Sequence, residues 1–165
     1  MKISRLPTAY LNKLLNILFP PECITCNSEI TEAYTMCDLC WKKLDFITEP
    51  NCAKCSLPIQ SIALEQKCDI NCLHIQHQYS TAKSVFVYES VTRELIHKLK
   101  YSTYYQIAQF FAKLICNRFA ENIKNYDVVI PVPMHYLRLK ERGYNQSSIL
   151  AVKVAHTLKI KRVFI

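Results

Sequence analysis

The chain of 165 residues holds a single glycine, Gly143, far below the roughly 7% of average usage. That composition gives little support to phosphate sites built on glycine-rich loops, and neither a Walker loop nor a dinucleotide GxGxxG occurs. Long apolar runs are also missing. The nearest, LLNILF at residues 14–19, is interrupted by Asn16 and falls well short of the roughly 20 residues that a membrane-spanning helix needs. PPEC follows it in place of a small-residue cleavage site, so the segment does not read as a secretory leader. Residues 10–19 are instead expected to form an amphipathic helix, with Leu11, Leu14, Leu15 and Leu18 on one face and Pro20 and Pro21 ending it. Its apolar face is expected to pack on the rest of the chain, which leaves no transmembrane segment and a cytoplasmic protein with reduced thiols.

Cysteine, by contrast, is abundant: there are nine. Eight lie between positions 23 and 72 in the order CITC, CDLC, CAKC and CDINC, separated by ten, eleven and twelve residues. Thiols two residues apart are metal clamps more often than disulfide partners. Two such pairs close a tetrahedral Cys₄ site with Zn–S bonds of about 2.3 Å and no open coordination position. The spacing therefore predicts two structural zinc ions. Pairing in sequence order gives Cys23, Cys26, Cys37 and Cys40 for one ion, and Cys52, Cys55, Cys68 and Cys72 for the other; a cross-braced pairing satisfies the same spacing. His74 and His77 lie close enough to substitute as ligands, although two polar histidines in a linker more often face solvent. Trp41 and Phe46 are placed to cover the first site. Eight thiolates around two divalent ions make this segment more acidic than its formal charge, which argues against its gripping DNA itself. The ninth, Cys116, sits in a helical pattern where it packs as a small hydrophobe.

Charge is divided unevenly. Residues 1–80 carry seven Lys/Arg against eight Asp/Glu, and residues 81–165 carry fourteen against five. A second half at +9 implies an anionic partner, either the phosphates of a small metabolite or a nucleic-acid backbone. In that half a β-branched and aromatic segment at 82–90 reads as a strand, followed by a helix with Leu95, Ile96 and Leu99 on one face. A longer helix carries an apolar stripe of Ile107, Phe110, Phe111, Leu114 and Ile115. DVVIPVP reads as a strand covered on both faces and closed by its prolines, SSILAVKVAHTLKI as a further helix, and KRVFI as the start of another buried strand. Alternation of this kind predicts an α/β, doubly wound domain whose ligands bind beyond the carboxyl ends of the strands. Arg138, Lys140, Arg142 and Gly143 lie there, with Asn145 positioned to cap the next helix. Gly143 would let the backbone turn and approach a ligand closely, and the cations with exposed amides would cradle a diphosphate.

FPPEC, the four cysteine pairs, LIHKLKY and DVVIPVPMHYLRLKERGYNQSSILA together resemble the ComF family, phosphoribosyltransferase-like proteins linked to DNA uptake in natural competence. The resemblance implies an N-terminal double zinc ribbon followed by a type I phosphoribosyltransferase-like doubly wound domain. The chain then divides into a helix at 1–21, the ribbon at 22–78 and a partial phosphoribosyltransferase-like domain at 79–165. It also implies that Pro131, Val132, Pro133 and His135 form a pyrophosphate loop, with Arg138, Arg142, Gly143, Asn145 and Gln146 as the basic and polar core. In a complete family member the ligands are Mg²⁺ and 5-phosphoribosyl 1-diphosphate. Such members continue into an acidic pair and a Thr/Gly-rich loop for the ribose 5-phosphate, which these 165 residues do not contain. The expectation is a truncated or split member without transferase activity by itself, a separate chain being one source of the missing part. Single-stranded DNA and the competence machinery are the implied partners. A zinc-ribbon module that binds nucleic acid or protein without catalysis is the alternative the residues leave open.

Overall fold

A computed structural model of the chain describes residues 19–59, 72, 77–101 and 105–164. The helix expected over residues 10–19 lies outside the described residues apart from Phe19, and so do Cys68 and His74.

The cysteine-rich half is built on a repeated ten-residue unit. Pro-x-Cys-x-x-Cys-x-x-x-Ile occurs at residues 21–30 and again at 50–59, and both copies fold the same way. The Cys23 amide donates to the Ser28 carbonyl (2.8 Å), the Asn27 amide to the Cys23 carbonyl (3.0 Å) and the Ile30 amide to the Pro21 carbonyl (2.9 Å). In the second copy Cys52 donates to Leu57 (2.8 Å), Ser56 to Cys52 (2.8 Å) and Ile59 to Pro50 (3.2 Å). Each turn is completed by a left-handed residue, Asn27 at φ 59° and Ser56 at φ 62°. With no glycine in this half, Asn tolerates that region best and Ser accepts it at some cost. The second pair of the first set begins at Cys37, which leads into a single helical turn, α1 (Asp38–Trp41).

Two longer helices follow. In α2 (Ser90–Tyr101) the buried side chains are Thr92, Leu95 and Leu99, and in α3 (Tyr105–Ile123) they are Ile107, Ala108, Phe110, Phe111, Ala112 and Cys116. Both carry the stripe that 3.6-residue periodicity predicts. A short strand, β1 (Val128–Val129), leads through α4 (Tyr136–Arg142) and α5 (Gln146–Leu158) to β2 (Arg162–Val163), which pairs with it in parallel, Val128 opposite Arg162 and Val129 opposite Val163. Helices α3 and α5 pack along each other, with Ala112 and Cys116 meeting Val154; the small residues allow the close approach. Burial raises the pKa of the Cys116 thiol, consistent with its role as a core hydrophobe.

Three segments depart from expectation. Residues 82–90 do not form a strand: Phe86 makes one antiparallel bridge to Phe46, and the Ile47 and Val87 amides donate to the carbonyls of Val85 (3.0 Å) and Asp45 (2.9 Å). Among the described residues its one ladder partner is the irregular edge of the cysteine-rich half, so pairing stops at bridge length. The segment at 128–133 is not covered on both faces, since Val128 and Val129 are half-buried and Ile130 and Val132 are 71% and 72% exposed. Pro131 and Pro133 lack a ladder donor, and β2 is the sole strand beside it among the described residues. Phe164, just beyond β2, is likewise 63% exposed rather than buried.

One core joins both halves. Cys23, Ile24, Met36, Cys40 and Leu44 from the cysteine-rich half cluster with Leu95, Leu99, Ile107, Phe110 and Phe111 from α2 and α3. Leu95 and Ile107 have no exposed surface, and each such side chain contributes on the order of 1.5–3 kcal/mol by leaving water. Polar ties flank this apolar seam. The Lys98 ammonium donates to the Thr25 carbonyl at 2.9 Å while pairing with Glu94, and the Arg118 guanidinium donates to the Ile47 carbonyl.

Candidate metal centres and a basic cleft

The repeated turns and α1 bring the sulfurs of Cys23, Cys26, Cys37 and Cys40 within 4.8 Å of one another. Four sulfurs around a zinc ion at about 2.3 Å sit about 3.8 Å apart, and Cys26 Sγ to Cys37 Sγ measures 3.7 Å. The donor set fits tetrahedral zinc, and the pairing is the one in sequence order, not the cross-braced one. The surroundings differ around the set. Ser28 Oγ lies 3.2 Å from Cys26 Sγ, and a hydroxyl donating there holds that thiol at a pKa of about 6. The backbone bond from Cys40 lowers the pKa of Cys37, while burial and the neighbouring thiols push Cys40 up to about 12. A divalent ion resolves this conflict by binding all four as thiolates. Trp41, next in the chain to Cys40, meets Phe46 with ring centroids 5.4 Å apart and reaches on to Phe110 of α3 at 6.1 Å.

Cys52, Cys55 and Cys72 form a second group within the same 4.8 Å limit. Cys68, expected as its fourth member, lies outside the described residues. His77 does not simply face solvent: its Nε2 is 3.3 Å from Cys72 Sγ, and its ring stacks on Tyr79 at 4.7 Å. Burial, followed by the charges of Cys55, Cys72 and Cys52, raises the Tyr79 pKa.

At the carboxyl end of β1 the chain forms a cleft of about 600 Å³ lined by Val132, Pro133, His135, Arg138, Arg142, Asn145 and Gln146, among others. Seven of the nine residues expected at a binding site thus converge on it; Pro131 and Gly143 flank it without lining it. The local reason is a short helix that periodicity did not reveal. His135 caps α4, its Nδ1 accepting from the Leu137 amide at 3.3 Å, and Gly143 ends it at φ 76° with its amide donating to Leu139 at 2.8 Å. Asn145 then caps α5 by accepting from Ser147 at 2.9 Å, and its amide group donates to the Val132 carbonyl at 3.1 Å, tying the loop after β1 to the start of α5. Gly143 answers a conformational need: a β-carbon there would meet nothing within 4 Å, so no close approach demands it.

Arg142 stacks over Tyr101, its guanidinium carbon 4.7 Å from the ring centroid, with an NH₂ donating to the Tyr101 hydroxyl at 3.0 Å. Its Nε and the Oε1 of Gln146 are enclosed without a protein partner. Among the described residues no acidic side chain lines the cleft, and neither Arg138 nor Arg142 pairs with a carboxylate. Lys100 also lines it, a contribution from α2 that sequence reasoning missed, since residues 45 positions from Asn145 carry no local signal. A larger cleft of about 660 Å³, walled by Phe86, Phe111, Ile115 and Phe119, shares none of these residues and is mostly apolar. The basic cleft has the chemistry of an anion site despite its smaller size. None of the described helices is long and apolar enough to cross a membrane.

A double zinc ribbon domain model matches residues 14–73, a span containing all eight expected ligands. The chain is similar to competence protein F of Haemophilus influenzae, 26% identical over 84% of the chain and 61% of that protein, and to competence protein ComFC of Bacillus subtilis, 24% identical over 78% of the chain and 60% of that protein. It therefore spans about 60% of the length of the curated relatives it matches. No solved structure matches it. With paired cysteine clusters at the front and both relatives aligned across most of its length, the chain is similar to competence proteins of the ComF type and carries a double zinc ribbon.

Proposed function

We propose that the chain serves DNA uptake in natural competence, from the cytoplasmic side, and that its second half is part of a type I phosphoribosyltransferase-like domain whose basic cleft takes the diphosphate of 5-phosphoribosyl 1-diphosphate. The relatives' names supply the competence context. The observation that carries the ligand class is the set of cations in the cleft. Arg138 and Arg142 converge there with no carboxylate among the described residues to neutralise them, and the enclosed Arg142 Nε has no acceptor among those residues. Like charges gathered at one cleft repel, and an anion with several oxygens relieves that repulsion through charge-assisted hydrogen bonds. In this reading the 22–78 segment is a zinc-bound scaffold and residues 79–165 carry the site. The zinc ions are structural, their thiolate sets leaving no open position for chemistry.

These residues would hold the leaving group and orient it. Transfer also requires the ribose 5-phosphate to be fixed and the developing positive charge on the ribose to be stabilised by position and field, and no acidic pair with a Thr/Gly-rich loop occurs in the 165 residues to do so. These residues accordingly supply the diphosphate end of such a site. Arg138 and Arg142 would hold the diphosphate, and Mg²⁺, when bound with it, would supply further positive charge.

Calorimetric titration of the zinc-loaded chain tests this. Inorganic diphosphate is expected to bind saturably, and 5-phosphoribosyl 1-diphosphate to bind within about threefold of it because the sugar phosphate finds no further contact. Arg138→Ala or Arg142→Ala should weaken either ligand by about tenfold or more, the scale of one charge-assisted contact. Absence of diphosphate binding, or binding indifferent to both arginines, overturns the proposal.

A further inference from the structure

We infer that the last turn of α2 is the third wall of the diphosphate site, with Lys100 as an anion-binding cation and Tyr101 as the positioning residue for Arg142. This rests on the reading of the basic cleft given above. The turn is fixed to the cleft from both sides. The Tyr144 hydroxyl, next to the Gly143 turn, donates to the Leu99 carbonyl at 2.6 Å. The Tyr101 hydroxyl accepts from Arg142, whose guanidinium lies over its ring. Burial raises the Tyr144 pKa, which keeps that hydroxyl a donor.

Lys100 differs from its neighbour Lys98 in what it meets. Lys98 is consumed structurally by Glu94 and the Thr25 carbonyl. Lys100, half-buried at the cleft, has no carboxylate partner among the described residues. A flexible ammonium that lines the same cleft as two arginines gains little from them and much from a bound polyanion. Tyr101 acts differently. An arginine that ends a seven-residue helix has many rotamers, and stacking with a hydroxyl acceptor selects one, lowering the ordering cost when the anion arrives.

Titration of the zinc-loaded chain with inorganic diphosphate separates these roles. Lys100→Ala should weaken binding about tenfold while Lys100→Arg stays within about threefold, both with unchanged thermal midpoints. Tyr101→Leu should weaken it about fivefold to tenfold and Tyr101→Phe less, since the ring still stacks. In an Arg142→Ala background, Tyr101→Leu should then have no further effect, a non-additivity that a merely structural role would not produce. If Arg138→Ala loses binding but Lys100→Ala and Tyr101→Leu do not, the inference falls and the cleft reading stands. If the unaltered chain does not bind diphosphate, both fall together.

Discussion

Gly143 is the residue at which composition and geometry meet. The chain's only glycine closes α4 at φ 76°, where an L side chain costs about 1–2 kcal/mol. Space is not the constraint, because a β-carbon there meets no neighbour. Gly143→Ala is therefore expected to destabilise by about 1 kcal/mol, the strain being partly offset by lower entropy of the unfolded chain. Gly143→Asn should cost less, since Asn visits this region more readily. Denaturant midpoints check both, and a loss of several kcal/mol on the alanine change would mean that the glycine does more than end a helix. The residue types were legible in sequence: a glycine among cations announced a turn, and Asn145 announced the cap it makes. The partnerships were not, because the contacts of Arg142 with Tyr101 and of His77 with Cys72 depend on folding between them.

Among elements, the long helices were legible because their apolar stripes are wide, and α4 was not, because seven residues with four charges (YLRLKER) carry too little periodicity. The strands were over-read for a related reason. Runs such as SVFVY and VVIPV announce burial, but strand length is set by the partner available, and among the described residues the 82–90 segment finds only the edge of the cysteine-rich half. Its seam with α3 makes a second prediction. The Arg118 guanidinium donates to the carbonyl of Ile47, whose amide in turn donates to Val85, and the Ile47 side chain is buried. Arg118→Ala leaves that carbonyl short of a donor at a cost of about 1–2 kcal/mol. Arg118→Lys should recover part of the loss because an ammonium can still donate. Amide exchange at Ile47 and Val87 should accelerate in the alanine variant; unchanged exchange would show that the tie contributes nothing.

At the scale of the whole molecule the two metal centres are unequal in what they support. The first set sits in the shared core, with Cys23 and Cys40 packed among residues that include Leu95, Leu99 and Phe110, whereas Cys52 and Cys72 are buried outside that cluster. A structural zinc site is worth about 10–16 kcal/mol of apparent binding energy in small domains, comparable with the whole stability of a typical domain at about 5–15 kcal/mol. Losing the first ion should therefore collapse the core across both halves, and losing the second should loosen its own turn. Cys37 and Cys55 make a matched pair for the test, since both are only partly buried and serine fills either site without a clash. Each serine variant should bind one equivalent of zinc less than the unaltered chain, by metal analysis. The single tryptophan reports the rest, because Trp41 bridges the first set to Phe110. Cys37→Ser should shift Trp41 emission to the red and broaden the unfolding transition, with Cys55→Ser leaving that emission in place. Equal effects from the two substitutions would mean that the ribbon folds as one unit and that the apolar seam with α2 and α3, not the first ion alone, sets the cooperativity of the chain.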